Sequence, residues 1–239
     1  MPNFMGIVFL ALSSLFSLLL VGGVIYTIIS LVKNKEKRIN LTKNTLLNIY
    51  FYLVSLITLG IAVIGSVTFL NSVFSYKIGV PFSYEVQELN KYDKDTDLTY
   101  YDENSGFPIC YIGKPIEIGS ERVCFDQSIP KKALITGLSF TVSMLILFVI
   151  HRIGIRTIEK KEKFMWIKKA YNFISLTIYS VISIVAIPIS TYLILNYIYF
   201  RPETLSKIDP PGYMLALATV SVPLWIYFLI RTLRLKEEK

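Results

Sequence analysis

No Asp, Glu, Lys or Arg occurs in any of five apolar stretches of this chain: Phe4 to Val32, Thr45 to Ser75, Ala133 to Ile150, Ala170 to Phe200 and Tyr213 to Ile230. Ionisable groups at such positions mark pumps, proton relays and voltage sensors, so their absence argues against those classes. Histidine is nearly missing too. The lone His151, beside Arg152, cannot supply bis-histidine haem ligation, and no carboxylate motif is placed to complete a histidine-based triad. It reads as a cation at a helix end. The patterns G-x-x-x-x-G-K-[ST], H-E-x-x-H, G-x-S-x-G and G-x-G-x-x-G are all absent, which removes the common phosphate-loop, zinc-protease, serine-hydrolase and dinucleotide signatures. No catalytic residues and no cofactor are expected.

Cysteine is scarce as well. Cys110 and Cys124 are the only two, with thirteen residues between them and both in the segment between the second and third apolar runs. That spacing does not suit a C-x-x-C redox pair. On an oxidising face it suits a structural disulfide, and a Cys110–Cys124 bridge is expected.

What the chain has in abundance is apolar sequence, with 53% hydrophobic residues over 239 positions. Each run is near or above the roughly 20 residues that a helix needs to cross about 30 Å of hydrocarbon. The expected fold is therefore all-α and transmembrane, a five-helix bundle of two hairpins plus a C-terminal helix. Residues 1–75 hold the first hairpin, 76–132 an extracytoplasmic cap, 133–200 the second hairpin, and 201–239 a short outer loop, the fifth helix and a tail. The first run does not read as a cleavable signal, because no basic residue precedes it and Lys33, Lys35, Lys37 and Arg38 follow it.

Of the 25 basic residues, 16 lie in 33–43, 151–169 and 231–239. By the positive-inside rule these segments face the cytoplasm, which puts the N-terminus outside and the C-terminus inside a plasma membrane. The net charge of +8 is then an orientation signal that favours anionic lipid, and nucleic acid is not an expected partner. The abundance of Ile, Lys, Asn and Tyr fits an AT-rich, prokaryotic genome.

In the cap, Val80 to Val86, Leu98 to Tyr101, Ile109 to Ile112 and Arg122 to Phe125 read as short strands. A small β-rich cap stapled by the disulfide is expected, with Tyr100, Tyr101 and Phe107 as a candidate partner surface. Asp93, Asp95 and Asp97 have the spacing that opens a calcium loop, yet Leu98 and Asn104 stand where glycine and a bidentate glutamate are required. A solvated acidic turn is the expectation and a weak, irregular calcium site the alternative; no other metal site is expected.

Within the spans, Ser55, Thr58, Ala62 and Ser66, and Thr177, Ser180, Ser183 and Thr191, read as small-residue stripes that let helices approach closely. Pro188 and Pro223 fall inside the fourth and fifth helices and are expected to kink them. The segments Tyr52-Leu53-Val54-Ser55-Leu56 and Asn172-Phe173-Ile174-Ser175-Leu176 align at an offset of 120 residues. Internal duplication and coincidence both remain open for so short a match.

The run Ile49-Tyr50-Phe51-Tyr52-Leu53-Val54-Ser55-Leu56-Ile57 with Leu59-Gly60, and Val222-Pro223-Leu224-Trp225 before Arg231, resemble an uncharacterised bacterial multispan membrane family known only as a domain of unknown function. The resemblance implies a fold and no activity. The long outer segment with its cysteines departs from it.

These features point to a non-catalytic interaction or assembly component of a membrane complex, with lipids and other membrane subunits as partners. The alternatives are a transporter or channel for a neutral or apolar solute and, third, an interfacial enzyme. The charge asymmetry predicts that single cysteines introduced near Asp97 and Lys207 label from outside intact cells, whereas those near Lys35, Lys161 and Glu238 do not. External labelling near Lys161 would reverse the orientation.

Overall fold

The computed structural model describes residues 43–88, 114–118, 121–160, 165–199 and 209–237. The chain divides into two compact units, Met1–Leu46 and Leu47–Lys239, and the contacts set out here all lie within the second. The first apolar run, Phe4 to Val32, lies outside the described residues.

Each of the other four runs becomes one long helix: α1 (Lys43–Lys77), α3 (Ser128–Glu159), α4 (Met165–Tyr199) and α5 (Gly212–Glu237), with a single turn, α2 (Val80–Ser83), after α1. All four are long and apolar enough to cross a membrane. The helices overrun the apolar runs because Lys, Arg and Glu are good helix formers, so backbone hydrogen bonding continues past the point where charge begins. With 35 residues each, α1 and α4 are about 52 Å long, more than the ~30 Å hydrocarbon core, and their ends extend into the interfacial layers.

The direction of each helix follows from its contacts. Ser72 Oγ donates to the Pro130 carbonyl oxygen at 2.5 Å near one end of α1, and the Tyr52 hydroxyl donates to Glu159 Oε1 at 2.6 Å near the other, so α1 and α3 are antiparallel. In α4 and α5 the Ser183 hydroxyl donates to Ser221 Oγ at 3.3 Å, and Tyr179 stacks on Phe228 with centroids 5.6 Å apart, again antiparallel. Tyr52 lies against Tyr171 at 5.0 Å, and Phe82 of α2 bridges Phe74 and Tyr197 at 6.0 and 5.3 Å, which makes α1 and α4 parallel. One core joins all four long helices through Tyr52, Val67, Ile155, Tyr171, Tyr179 and Phe228. Trp225 packs against that core while Trp166 is exposed near the start of α4, as an interfacial aromatic would be.

Helix α3 is the most peripheral. Only 6% of its most apolar stretch is buried, against 39% for α1, and it comes closest to α1 at one narrow seam. At that seam the two backbones nearly touch. A Cβ on Gly137 would lie 2.5 Å from the Phe69 nitrogen and 2.9 Å from the Gly65 oxygen, and one on Gly65 would lie 2.8 Å from the Thr141 nitrogen. Ser66 Oγ and Thr141 Oγ1 meet beside them at 3.4 Å. Small residues at a membrane helix crossing act in this way, since lipid supplies no hydrophobic drive and close packing must supply the attraction.

Gly79 ends α1 with φ of 134°, a conformation that L side chains rarely adopt, and Pro81 then sits in the first turn of α2. The expected strand over Val80 to Val86 is thus corrected to a helical turn, because Pro81 presets helical φ and Phe82 is held between aromatic rings. Three strands follow: β1 (Gln87–Glu88), β2 (Lys114–Ile118) and β3 (Glu121–Phe125), an antiparallel sheet in the order β1-β3-β2. Strand β3 covers the expected Arg122 to Phe125. Strand β2 was not anticipated, since Pro115 and two charged residues obscure it, but Pro is tolerated on an edge strand. Phe125 packs with Val86, Val80 and Tyr84 in a small core of its own, where burial pushes the Tyr84 phenol pKa up.

The sheet passes directly into α3. The Ser128 backbone N–H donates to Asp126 Oδ1 and the Ser128 hydroxyl to Oδ2, each at 2.8 Å, and these bonds, the backbone one first, hold the Asp126 carboxyl below the usual carboxylate range. A depressed folded pKa contributes stability above the unfolded value, near 4, and loses it as pH falls through the folded value. The difference in thermal midpoint between wild type and Asp126→Asn is expected to be constant above about pH 5 and to close below about pH 4. A pH-independent difference would count against the cap.

The helix seam makes a second prediction. Gly137→Ala should destabilise the detergent-solubilised protein by about 1–3 kcal/mol through overpacking. Gly60→Ala, whose Cβ meets nothing within 4 Å, should be neutral or stabilising by up to about 1 kcal/mol, as helix propensity dictates. Equal effects of the two in a denaturation series would mean that the seam is misplaced.

Candidate functional site

Among the described residues, many of the buried and half-buried side chains are amides and hydroxyls where hydrocarbon would serve, and they sort by level.

 They include the thirteen buried polar side chains among the described residues and the half-buried Ser66, Thr141 and Thr232. Near the middle of the bundle they satisfy one another or their own helix. Thr58 donates to the Val54 and Ser55 carbonyls, Ser66 to the Ala62 carbonyl, Ser183 to Ser221, and Ser190 to the Ile187 carbonyl.

At the end where α1 and α4 begin and α3 and α5 finish, several buried polar atoms have no hydrogen-bond partner. This is the basic end, with Arg152, Arg156, Lys168, Lys169, Arg231 and Arg234. Asn48, Tyr52 and Ser55 share one face of α1, and Tyr171, Asn172 and Ser175 share one face of α4, since residues three and four apart lie above each other. The ring contact between Tyr52 and Tyr171 sets the two trios at one level. Asn48, Ser55, Asn172 and Ser175 are 0% exposed. Neither end of the Asn48 amide has a hydrogen-bond partner, nor do Ser55 Oγ, Tyr171 Oη, Asn172 Oδ1 or Ser175 Oγ. The Asn172 amide nitrogen is satisfied by the Lys168 carbonyl at 2.9 Å.

Two cations border this group. The Arg152 guanidinium stands 5.7 Å from the Tyr171 ring centroid and 6.0 Å from that of Phe148, and its buried Nη1 has no hydrogen-bond partner. Arg231 donates from Nη1 to the Tyr227 hydroxyl at 3.2 Å. Its neighbour Thr232 has a buried, unpartnered hydroxyl. The Glu159 carboxylate is engaged by the Tyr52 hydroxyl. A dry orphan of this kind costs about 1–3 kcal/mol, so several at one level call for water or a ligand that supplies the missing bonds.

A smaller orphan group lies at the opposite end, where the Asn71 amide nitrogen donates to the Ser83 carbonyl at 3.3 Å while Asn71 Oδ1, Ser83 Oγ and Tyr84 Oη have no partner. Gly212 explains its packing: a Cβ there would lie 2.6 Å from both Asn71 Oδ1 and Ser83 Oγ. Those two side chains close around the start of α5.

The small-residue stripes read from the sequence are partly corrected. Ser55, Thr58 and Ala62 are buried as expected, but on α4 only Ser183 is; Thr177 and Thr191 are exposed and Ser180 is half-buried. Threonine hydroxyls at exposed positions bond back to the carbonyl four residues earlier, Thr177 to Phe173 and Thr191 to Ile187, and so need no interior partner. Pro188 and Pro223 lie within α4 and α5 on exposed faces, away from the polar group. His151 Nδ1 lies 2.7 Å from the Leu147 carbonyl, with the Phe51 ring 5.7 Å away.

Asp93, Asp95, Asp97, Tyr100, Tyr101, Phe107 and Cys110 lie outside the described residues, and with Cys110 the expected disulfide to Cys124 of β3. Among the described residues no group of three or more His, Cys, Asp or Glu is placed to hold a metal. Sequence reading missed Asn48, Asn172 and Arg152. A signal was present: the 120-residue offset aligns Tyr52 with Asn172 and Ser55 with Ser175, and all four are buried in one neighbourhood.

Comparison with family models, with curated proteins and with solved structures finds no match for this chain. Four apolar helices give it the build of a membrane protein.

Proposed function

We propose that this membrane protein binds a small polar molecule in a hydrated niche at the basic end of its bundle, the first step of a transport or receptor function. The observation that carries the reading is the set of fully buried, unpartnered groups on Asn48, Ser55, Asn172 and Ser175. A core built only for packing would carry apolar side chains there, because van der Waals contact is cheaper than an unsatisfied amide in hydrocarbon. The solute class differs from the neutral or apolar one considered from sequence: the niche offers hydrogen bonds.

The assembly reading keeps a place for a different reason. Helix α3 leaves Ile135, Val142, Ile146 and Ile153 exposed, a face that lipid or another membrane subunit would cover. We extend the same proposal to the cap as a disulfide-stapled element, since β3 carries Cys124 in the central strand of the sheet.

The test is access. In a full-length background with Cys110 and Cys124 changed to serine, Ser175→Cys should react with a small, uncharged, water-soluble thiosulfonate reagent in detergent micelles, and Ala186→Cys, buried in the apolar part of the same helix, should not. Absence of reaction at Ser175→Cys would mean a dry interior and would sink the niche.

A further inference from the structure

We infer that the molecule taken by this niche carries a phosphate group, held by Arg152; this rests on the niche being a ligand site at all. Three observations lead there. First, the guanidinium is fixed between the faces of Phe148 and Tyr171, with Nη1 buried and lacking an acceptor. A planar fork held in place by ring faces suits an oxyanion better than a mobile ammonium would. Second, the Glu159 carboxylate directs Oε1 to the Tyr52 hydroxyl, and Arg152 Nη1 is left without an acceptor. Third, the unpartnered groups at this end of the bundle include several donors, namely the Tyr171, Ser55 and Ser175 hydroxyls and the Asn48 amide, a supply that an oxyanion with several lone pairs can use.

Depth narrows the class. Arg152 follows the last apolar residue of its run, Ile150, by two positions, which places it at the layer where headgroup phosphates lie and where basic residues meet anionic lipid. The chemistry is therefore a phosphate ester or free phosphate, from a lipid headgroup or from solution.

The experiment uses Ser175→Cys in the same cysteine-free background, in maltoside micelles, which carry no phosphate, with thiosulfonate reagents of matched size that are neutral, cationic or anionic. The anionic reagent should react faster than the cationic one by about tenfold, as a nearby guanidinium with no acceptor on Nη1 implies. Arg152→Gln should abolish that preference, and Arg156→Gln, on the exposed side of the same helix, should retain it. Inorganic phosphate should then slow labelling if the ligand is free phosphate, and added phosphatidylglycerol alone should slow it if the ligand is a headgroup; either supports the inference. Should Arg152→Gln fail to fold, Arg152→Lys serves: it should keep the charge preference and weaken protection by whichever probe protects the wild type.

Reaction without charge preference, a preference that survives Arg152→Gln, or protection by neither probe would overturn the phosphate assignment while leaving the niche standing. Failure of every reagent to react would remove the niche and the assignment together.

Discussion

A hydroxyl or amide inside a membrane has no water to turn to, and that constraint orders the interior of this bundle. The chain meets it in two ways. Exposed threonines return their hydroxyls to their own helix, as Thr177 and Thr191 do, and mid-bundle serines pair across helices, as Ser183 and Ser221 do. At the basic end neither solution is used. Asn48, Ser55, Asn172 and Ser175 are buried and each carries an unpartnered polar atom, beside a half-buried arginine, and the functional reading grows from that contrast between levels of one bundle.

Packing explains how such an end can be maintained. The Gly65 and Gly137 contact draws α3 against α1, and the same pairing carries Glu159 to Tyr52 and Arg152 to Tyr171 farther along. Phe228 of α5 reaches both Tyr171 and Tyr179 of α4, at 6.0 and 5.6 Å, and so joins the rings beside the unpartnered groups. Rigid rings and a close helix crossing hold the polar groups where rotamer changes alone would not bring them together.

Much of the fold was legible because hydrocarbon thickness sets helix length and charge marks where each run stops. Four of the five apolar runs coincide with helices, and the fifth lies outside the described residues. The faces were less legible. With apolar residues on every side, a membrane helix has no clear polar stripe to point inward or outward, so Thr177 looked equivalent to Ser183 until tertiary contacts separated them. The site was legible only as a fragment, the aligned Ser55 and Ser175. Arg152 reads in sequence as one of many juxtamembrane cations, and only its place against Tyr171 distinguishes it. Val80 to Val86 misled because β-branched and aromatic residues favour strands in general, while Gly79 and Pro81 fix a turn locally.

The central claim is that the basic end of the bundle is occupied by something other than protein. An experimental density map from protein purified in its native lipids, at a resolution that shows ordered water, tests it most directly. The account predicts non-protein density within hydrogen-bonding distance of Asn48, Ser55, Asn172 and Ser175, extending to Arg152. Continuous side-chain packing there, with every one of those groups bonded to protein and no density between them, would contradict it.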